Sequence, residues 1–144
     1  MKNKITVLNE ETFSSGYSQK KLESVEIFIQ DVLNHLNFEN WEMNVVFCDD
    51  KFMQEMNLQY RNIDAPTDVL SFEQGDYYID DDENEIFSAG DILISDETLS
   101  KNAKLVYNYL DKQIFYVQMG GGEAKISFVV LHKLIGNFSY KNTK

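Results

Sequence analysis

The chain has 144 residues, a formal net charge of −11 from 13 basic and 24 acidic side chains, and a hydrophobic share of 43%. That length suits one domain with a real core, and that composition excludes a disordered polymer. The acidity argues against a freestanding nucleic-acid binder, which needs a basic footprint to neutralise phosphates, but it leaves room for a small basic cleft around Arg61 or for delivery to RNA by a protein partner. No run approaches the ~18 consecutive apolar residues of a membrane span. The N-terminus carries no apolar signal core and Cys48 has no second cysteine to pair with, so the expected compartment is the cytoplasm, with no membrane contact.

Ile5 and Val7 alternate with polar residues and predict a first strand near 4–8. Ser18 is placed to cap a helix that runs to about Asn37 on a stripe of Leu22, Val25, Ile29, Val32, Leu33 and Leu36. His35 lies near its C-terminal end, where a cation is mildly favoured, and has no second ligand type at i±4. Trp41, Met43, Val45 and Phe47 alternate and predict a strand over 41–48. Asp49 or Asp50 then caps a helix carrying Phe52, Met53 and Met56, whose methionines read as core filler.

That helix continues through Tyr60 and breaks at the turn-prone N-I-D-A segment. Pro66 fixes its own φ and pushes Ala65 extended, so a strand is expected over 67–73 with Val69 and Ser71 on one face. Arg61 therefore sits in a constrained corner, expected to be solvent-accessible and to face a cleft beside Thr67–Ser71. Its guanidinium is suited either to a phosphate or to a salt bridge with Asp64 or Asp68. The acidic run Asp80–Glu85 lacks the alternating ligands, sixth-place glycine and distal glutamate of an EF-hand, and is expected to be a mobile, solvated connection without a cation.

Ala89-Gly90-Asp91 leads into a strand over 87–94. Ser95 or Asp96 caps the next helix, with Glu97 in its first turn and an end near Leu105 or Tyr107. Leu110, Ile114, Phe115 and Val117 mark another. No repeat or linker divides the chain. The expected fold class is α/β (α+β), a single domain over 1–144 with a small mixed four-stranded sheet packed by three or more helices.

Asn-x-x-Tyr-Arg at 57–61, Pro-Thr-Asp-Val-Leu-Ser-Phe at 66–72 and Gly-Asp-Ile-x-Ile-Ser at 90–95 together resemble the YbeY family of bacterial ribosomal RNA maturation endoribonucleases, in order and spacing over about residues 1–119. The resemblance implies a metalloprotease-like fold and zinc-dependent cleavage of single-stranded RNA. It also implies ribosomal RNA and small ribosomal subunit proteins as partners. It makes Arg61 catalytic and assigns Arg61, Thr67, Asp68 and Ser71 to substrate binding.

The family holds its zinc with His-x-x-x-His and a third ligand, His or Asp, six residues later. Two imidazoles four apart share one helical face, and the open fourth position acidifies a water. At the expected place, near position 120, this chain instead reads G-G-G-E-A-K-I-S-F-V-V. Each of those glycines disfavours a helix by about 1 kcal/mol relative to alanine. His132 is the candidate metal residue, with Gly136 and Asn142 where the second and third ligands would fall, and Cys48 or a carboxylate as donors for a makeshift site. Three origins fit this divergent tail over 120–144: a degenerate paralogue, a reading-frame change, or a metal held in another way. The expectation is weak zinc binding and poor RNA cleavage. The competing reading is a non-catalytic ribosome-assembly or protein-binding module on the same fold, and a third is a zinc-dependent hydrolase of another substrate.

Overall fold

Period-two alternation in the sequence does become a sheet. The structure, a computed structural model, describes residues 3–35, 37–95, 97 and 98. In chain order the elements are β1 (Lys4–Asn9), α1 (Gln19–His35), β2 (Trp41–Cys48), α2 (Asp50–Arg61), β3 (Val69–Ile79) and β4 (Glu85–Ser95). The strands lie in the order β1-β2-β4-β3. β1, β2 and β4 run parallel, and β3 runs antiparallel to β4, which gives the expected mixed four-stranded sheet.

One sheet face is covered by α1. Ser18 caps that helix, its Oγ accepting from the Lys21 N–H at 3.2 Å. Val25, Ile29 and Leu33 then close over Met43, Val45, Phe47, Ile92 and Ile94, all essentially without solvent contact. Each such aliphatic side chain contributes roughly 1.5–3 kcal/mol by leaving water, and among the described residues this face holds the larger apolar cluster. The opposite face is smaller and carries Cys48, Leu70 and Leu93, against which α2 sets Met53, with Phe52 and Met56 half-buried beside it. Asp49 is the N-cap of α2, its Oδ1 accepting from the Phe52 N–H at 2.9 Å.

The second half of the sheet departs from expectation. β3 starts at Val69 rather than 67, because the Asp68 side chain takes the Val69 N–H at 2.8 Å. It then runs on to Ile79, and β4 begins at Glu85 rather than 87. The connection between the two strands is thus shorter than expected, and the acidic stretch is the tight end of a hairpin. Asp80 Oδ1 accepts from the N–H groups of Asp82 (2.9 Å) and Asn84 (2.8 Å), and Glu83 turns the chain at φ 63°. A hairpin of this form needs a left-handed residue at the end of its loop, and here a glutamate occupies that place.

Ser95 ends β4, and its Oγ donates to Asp50 Oδ1 at 2.6 Å. Residues 97 and 98 are helical. The remainder of that helix, the one expected from Leu110, and the 120–144 segment with His132, Gly136 and Asn142 lie outside the described residues. Among the described residues no helix is long and apolar enough to cross a membrane.

Candidate functional site

Arg61, the single arginine of the chain, is the last residue of α2. The helix stops there because Asn62 adopts the left-handed conformation, φ 59° and ψ 33°, and its N–H donates to the carbonyls of Asn57 and Leu58. Asparagine takes that conformation more readily than most residues. Asn57 then pulls the following turn back onto the helix. Its side chain is only 2% exposed, its Nδ2 donates to the Ala65 carbonyl at 2.8 Å, and its own carbonyl accepts from the Ile63 N–H at 3.3 Å. Its Oδ1 is buried with no hydrogen-bond partner. The sequence pattern includes Asn57 without revealing this stapling role, since an i to i+8 side-chain contact has no periodic signature.

The turn leaves Arg61 exposed. Of the two open alternatives, the salt bridge is not formed: among the described residues no ion pair joins Arg61 to Asp64 or Asp68. Asp64 instead accepts from Gln54 Nε2 at 2.9 Å, and Asp68 from its own strand. Thr67 is half-buried, with its Oγ1 3.5 Å from Asp68 Oδ1. Ser71 is also half-buried but alternates with Leu70, and so shares the α1 side of the sheet with Val69. The structure therefore leaves Arg61 at the end of α2, Thr67 and Asp68 in the segment that leads into β3, and Ser71 on the α1 side of the sheet.

A groove of about 360 Å³ opens on the α2 side, lined by Val46, Phe52, Met56, Tyr60, Phe72 and Leu93 with Asp91 at its polar end. None of Arg61, Thr67, Asp68 or Ser71 lines it. Its walls are instead Tyr60, one residue before the arginine, and Phe72, whose rings meet edge to face at 5.1 Å. Tyr60 is 57% exposed, so its ring is available at the mouth. Asp91 accepts from Asn44 Nδ2 at 2.8 Å on the neighbouring parallel strand. Ser95 and Thr98 both donate to Asp50 Oδ1 at 2.6 Å, which anchors the start of α2 to the end of β4. The three sequence motifs thus build one unit: a strand end, the helix it anchors, and the turn that presents Arg61.

Metal donors are scarce in this unit. Cys48 is fully buried and its thiol is pushed up to about 12, first by burial and then by the charges of Asp49, Glu10 and Asp50. Among the described residues no three His, Cys, Asp or Glu side chains stand close enough together to hold an ion. His35 is the last residue of α1.

A family model described as Endoribonuclease YbeY matches residues 7–121. The chain is 58% identical over 80 residues to the endoribonuclease YbeY of Treponema denticola, covering 56% of this chain and 52% of that one. It is 43% identical over 77 residues to that of Treponema pallidum, covering 54% and 48%. Similarity to the Petrotoga mobilis endoribonuclease YbeY extends further, with 33% identity over 118 residues, 82% of this chain and 74% of that one. The chain spans about half the length of the Treponema relatives it matches. The fold is similar to the solution structure of TM1509 from Thermotoga maritima, with a TM-score of 0.50 and 22% identity over 96% of this chain and 91% of that one.

Proposed function

The chain belongs to the endoribonuclease YbeY family, and from that premise we propose that it serves ribosomal RNA maturation as an endoribonuclease acting on single-stranded RNA. The observation that carries the reading is Arg61, exposed at the end of α2 and joined to no carboxylate by an ion pair among the described residues. Such a fork can hold a phosphodiester through two parallel N–H···O bonds and stabilise the charge that develops on it during cleavage. Tyr60, exposed beside it, offers a ring on which an unpaired base can stack, and stacking favours single strands over duplexes.

Zinc is the metal that the family resemblance implies, and the described residues form no site for it. With a net charge of −11, the chain binds RNA weakly on its own and depends on a partner for delivery. Ribosomal RNA and small ribosomal subunit proteins are the proposed partners, and the cytoplasm the proposed compartment.

A second reading, a non-catalytic ribosome-assembly module on the same fold, is favoured by one observation: Gly136 and Asn142 stand where the second and third ligands would follow His132. The full chain incubated with a single-stranded RNA oligonucleotide separates the two. As an enzyme it cleaves, and Arg61→Ala lowers the rate by roughly 10²–10³. Its urea midpoint meanwhile moves by no more than about 0.5 kcal/mol in stability, as for other exposed positions. As a module it retains the RNA uncut, and Arg61→Ala releases it. Cleavage that is indifferent to Arg61→Ala would remove the arginine from the mechanism.

A further inference from the structure

We propose that the outer edge of the β3–β4 hairpin docks an extended, basic segment of another protein, which adds to the sheet as one more strand. The proposal stands whether or not the chain cleaves RNA. β3 is the terminal strand of the sheet among the described residues. Which of its backbone groups face outward follows from its neighbour. The Phe87 N–H donates to the Asn40 carbonyl at 2.8 Å, so Phe87 turns its hydrogen-bonding groups toward β2. Tyr77 stands opposite Phe87 in the antiparallel ladder and so presents its own N–H and C=O away from the sheet. Ile79, two residues on and opposite Glu85, does the same.

The side chains at those two positions are equally open. Tyr77 is 66% and Ile79 62% exposed, and alternation puts both on one face. Tyr77 is not loose, because its ring rests on Phe87 at 5.0 Å, Phe87 rests on Trp41 at 4.9 Å, and Trp41 stacks on Phe38 at 4.7 Å. The Asp80 hydrogen bonds fix the end of the hairpin. An edge already in strand geometry takes up a partner strand at little ordering cost, with main-chain bonds for affinity and alternate side chains for selection.

Charge decides the occupant. Seven carboxylates lie between Glu73 and Glu85, and no Lys, Arg or His occurs between Arg61 and Lys101. This field repels phosphates, which excludes nucleic acid at the edge, and repels a second copy of the same edge. It attracts a strand that alternates apolar residues, for Tyr77 and Ile79, with lysine or arginine.

The test titrates the full chain with a ten-residue peptide of alternating Lys and Val, followed by backbone amide shifts. Saturable binding with shifts at Tyr77 and Ile79 is expected. N-methylating alternate peptide residues keeps the charge and removes the strand donors, and should weaken binding about tenfold or more. Tyr77→Pro should do the same while leaving the urea midpoint close to the parent's, since proline is tolerated where an edge N–H faces solvent. Equal binding by the N-methylated peptide would overturn the proposal even if the Tyr77→Pro chain did not fold. Equal binding by a Glu–Val peptide, shifts confined to the α2 groove, or self-association through this edge would also overturn it.

Discussion

Gly90 lies directly beneath the Phe72 carbonyl: a Cβ added to the glycine would fall inside that oxygen, with the Glu73 Cα 3.0 Å away. The two segments P-T-D-V-L-S-F and G-D-I-x-I-S therefore meet at a backbone contact that only hydrogen on Cα allows. Gly90 also sits at φ 135°, where side chains are strained. Gly90→Ala is expected to destabilise the chain by about 3 kcal/mol, from strain and from parting β3 and β4. Urea unfolding followed by circular dichroism measures this, and a loss below about 0.5 kcal/mol, the range of ordinary surface changes, would show that the strands adjust freely.

Cys48 should be inert while the chain is folded. Its thiol is raised from 9.0 to about 12, mainly by burial, so the neutral form is the one the fold favours. A group whose folded pKa exceeds its unfolded value contributes stability that is fully present below pH 9 and lost as the pH climbs toward 12. Iodoacetamide at pH 8 should leave Cys48 unlabelled until urea opens the core. Rapid labelling of the native chain would contradict its burial.

Asp80 should titrate below the ordinary aspartate value of 3.8, because the Asn84 backbone N–H, the Asn84 side chain and the Asp82 N–H all favour its charged form. With the folded pKa depressed, the carboxylate's contribution to the turn is present at neutral pH and disappears as the pH falls through that lowered value. A proton titration of the Asp80 carboxyl carbon by NMR should place its midpoint below 3.8. An Asp80 midpoint at or above that value would mean the turn does not hold its carboxylate.

Purified full chain should carry zinc at well below one ion per molecule. His132 leaves Gly136 and Asn142 at the spacings where two further donors belong, and Cys48 is buried in the core. Elemental analysis before and after dialysis against a chelator checks this, with little change in melting temperature expected on chelation. Restoring His-x-x-x-His and the third ligand after Met119 should raise both metal content and RNA cleavage. One tightly held zinc in the parent chain would return it to the competent enzymes.

Much of this architecture is legible in the residues. The Val25, Ile29 and Leu33 stripe and the Met43, Val45 and Phe47 alternation specify one helix, one strand and the face they share, because burial there follows the backbone period. The far half of β3 is not legible, since Glu73 to Ile79 reads as a charged loop by local preference. Its strand form comes from cross-strand partners such as Phe87, which the linear sequence cannot place opposite Tyr77. The site divides in the same way. Pro66 and the turn residues announce the Arg61 corner, whereas the Asn57 staple and the passage of Ser71 to the α1 side depend on the three-dimensional return of the chain.

The strand order carries a consequence for synthesis on the ribosome. Of the four described strands β4 is made last, yet it is the one that joins β2 to β3. A nascent chain that has exposed everything up to Ile79 can pair β1 with β2 and wind both helices, but β3 has nothing to pair with. Until residues 85–95 emerge, the inner edge of β2 stays open and the apolar faces around it are uncovered, the condition in which growing chains recruit chaperones or stick to one another. Closure of these four described strands is therefore timed by translation through Ser95.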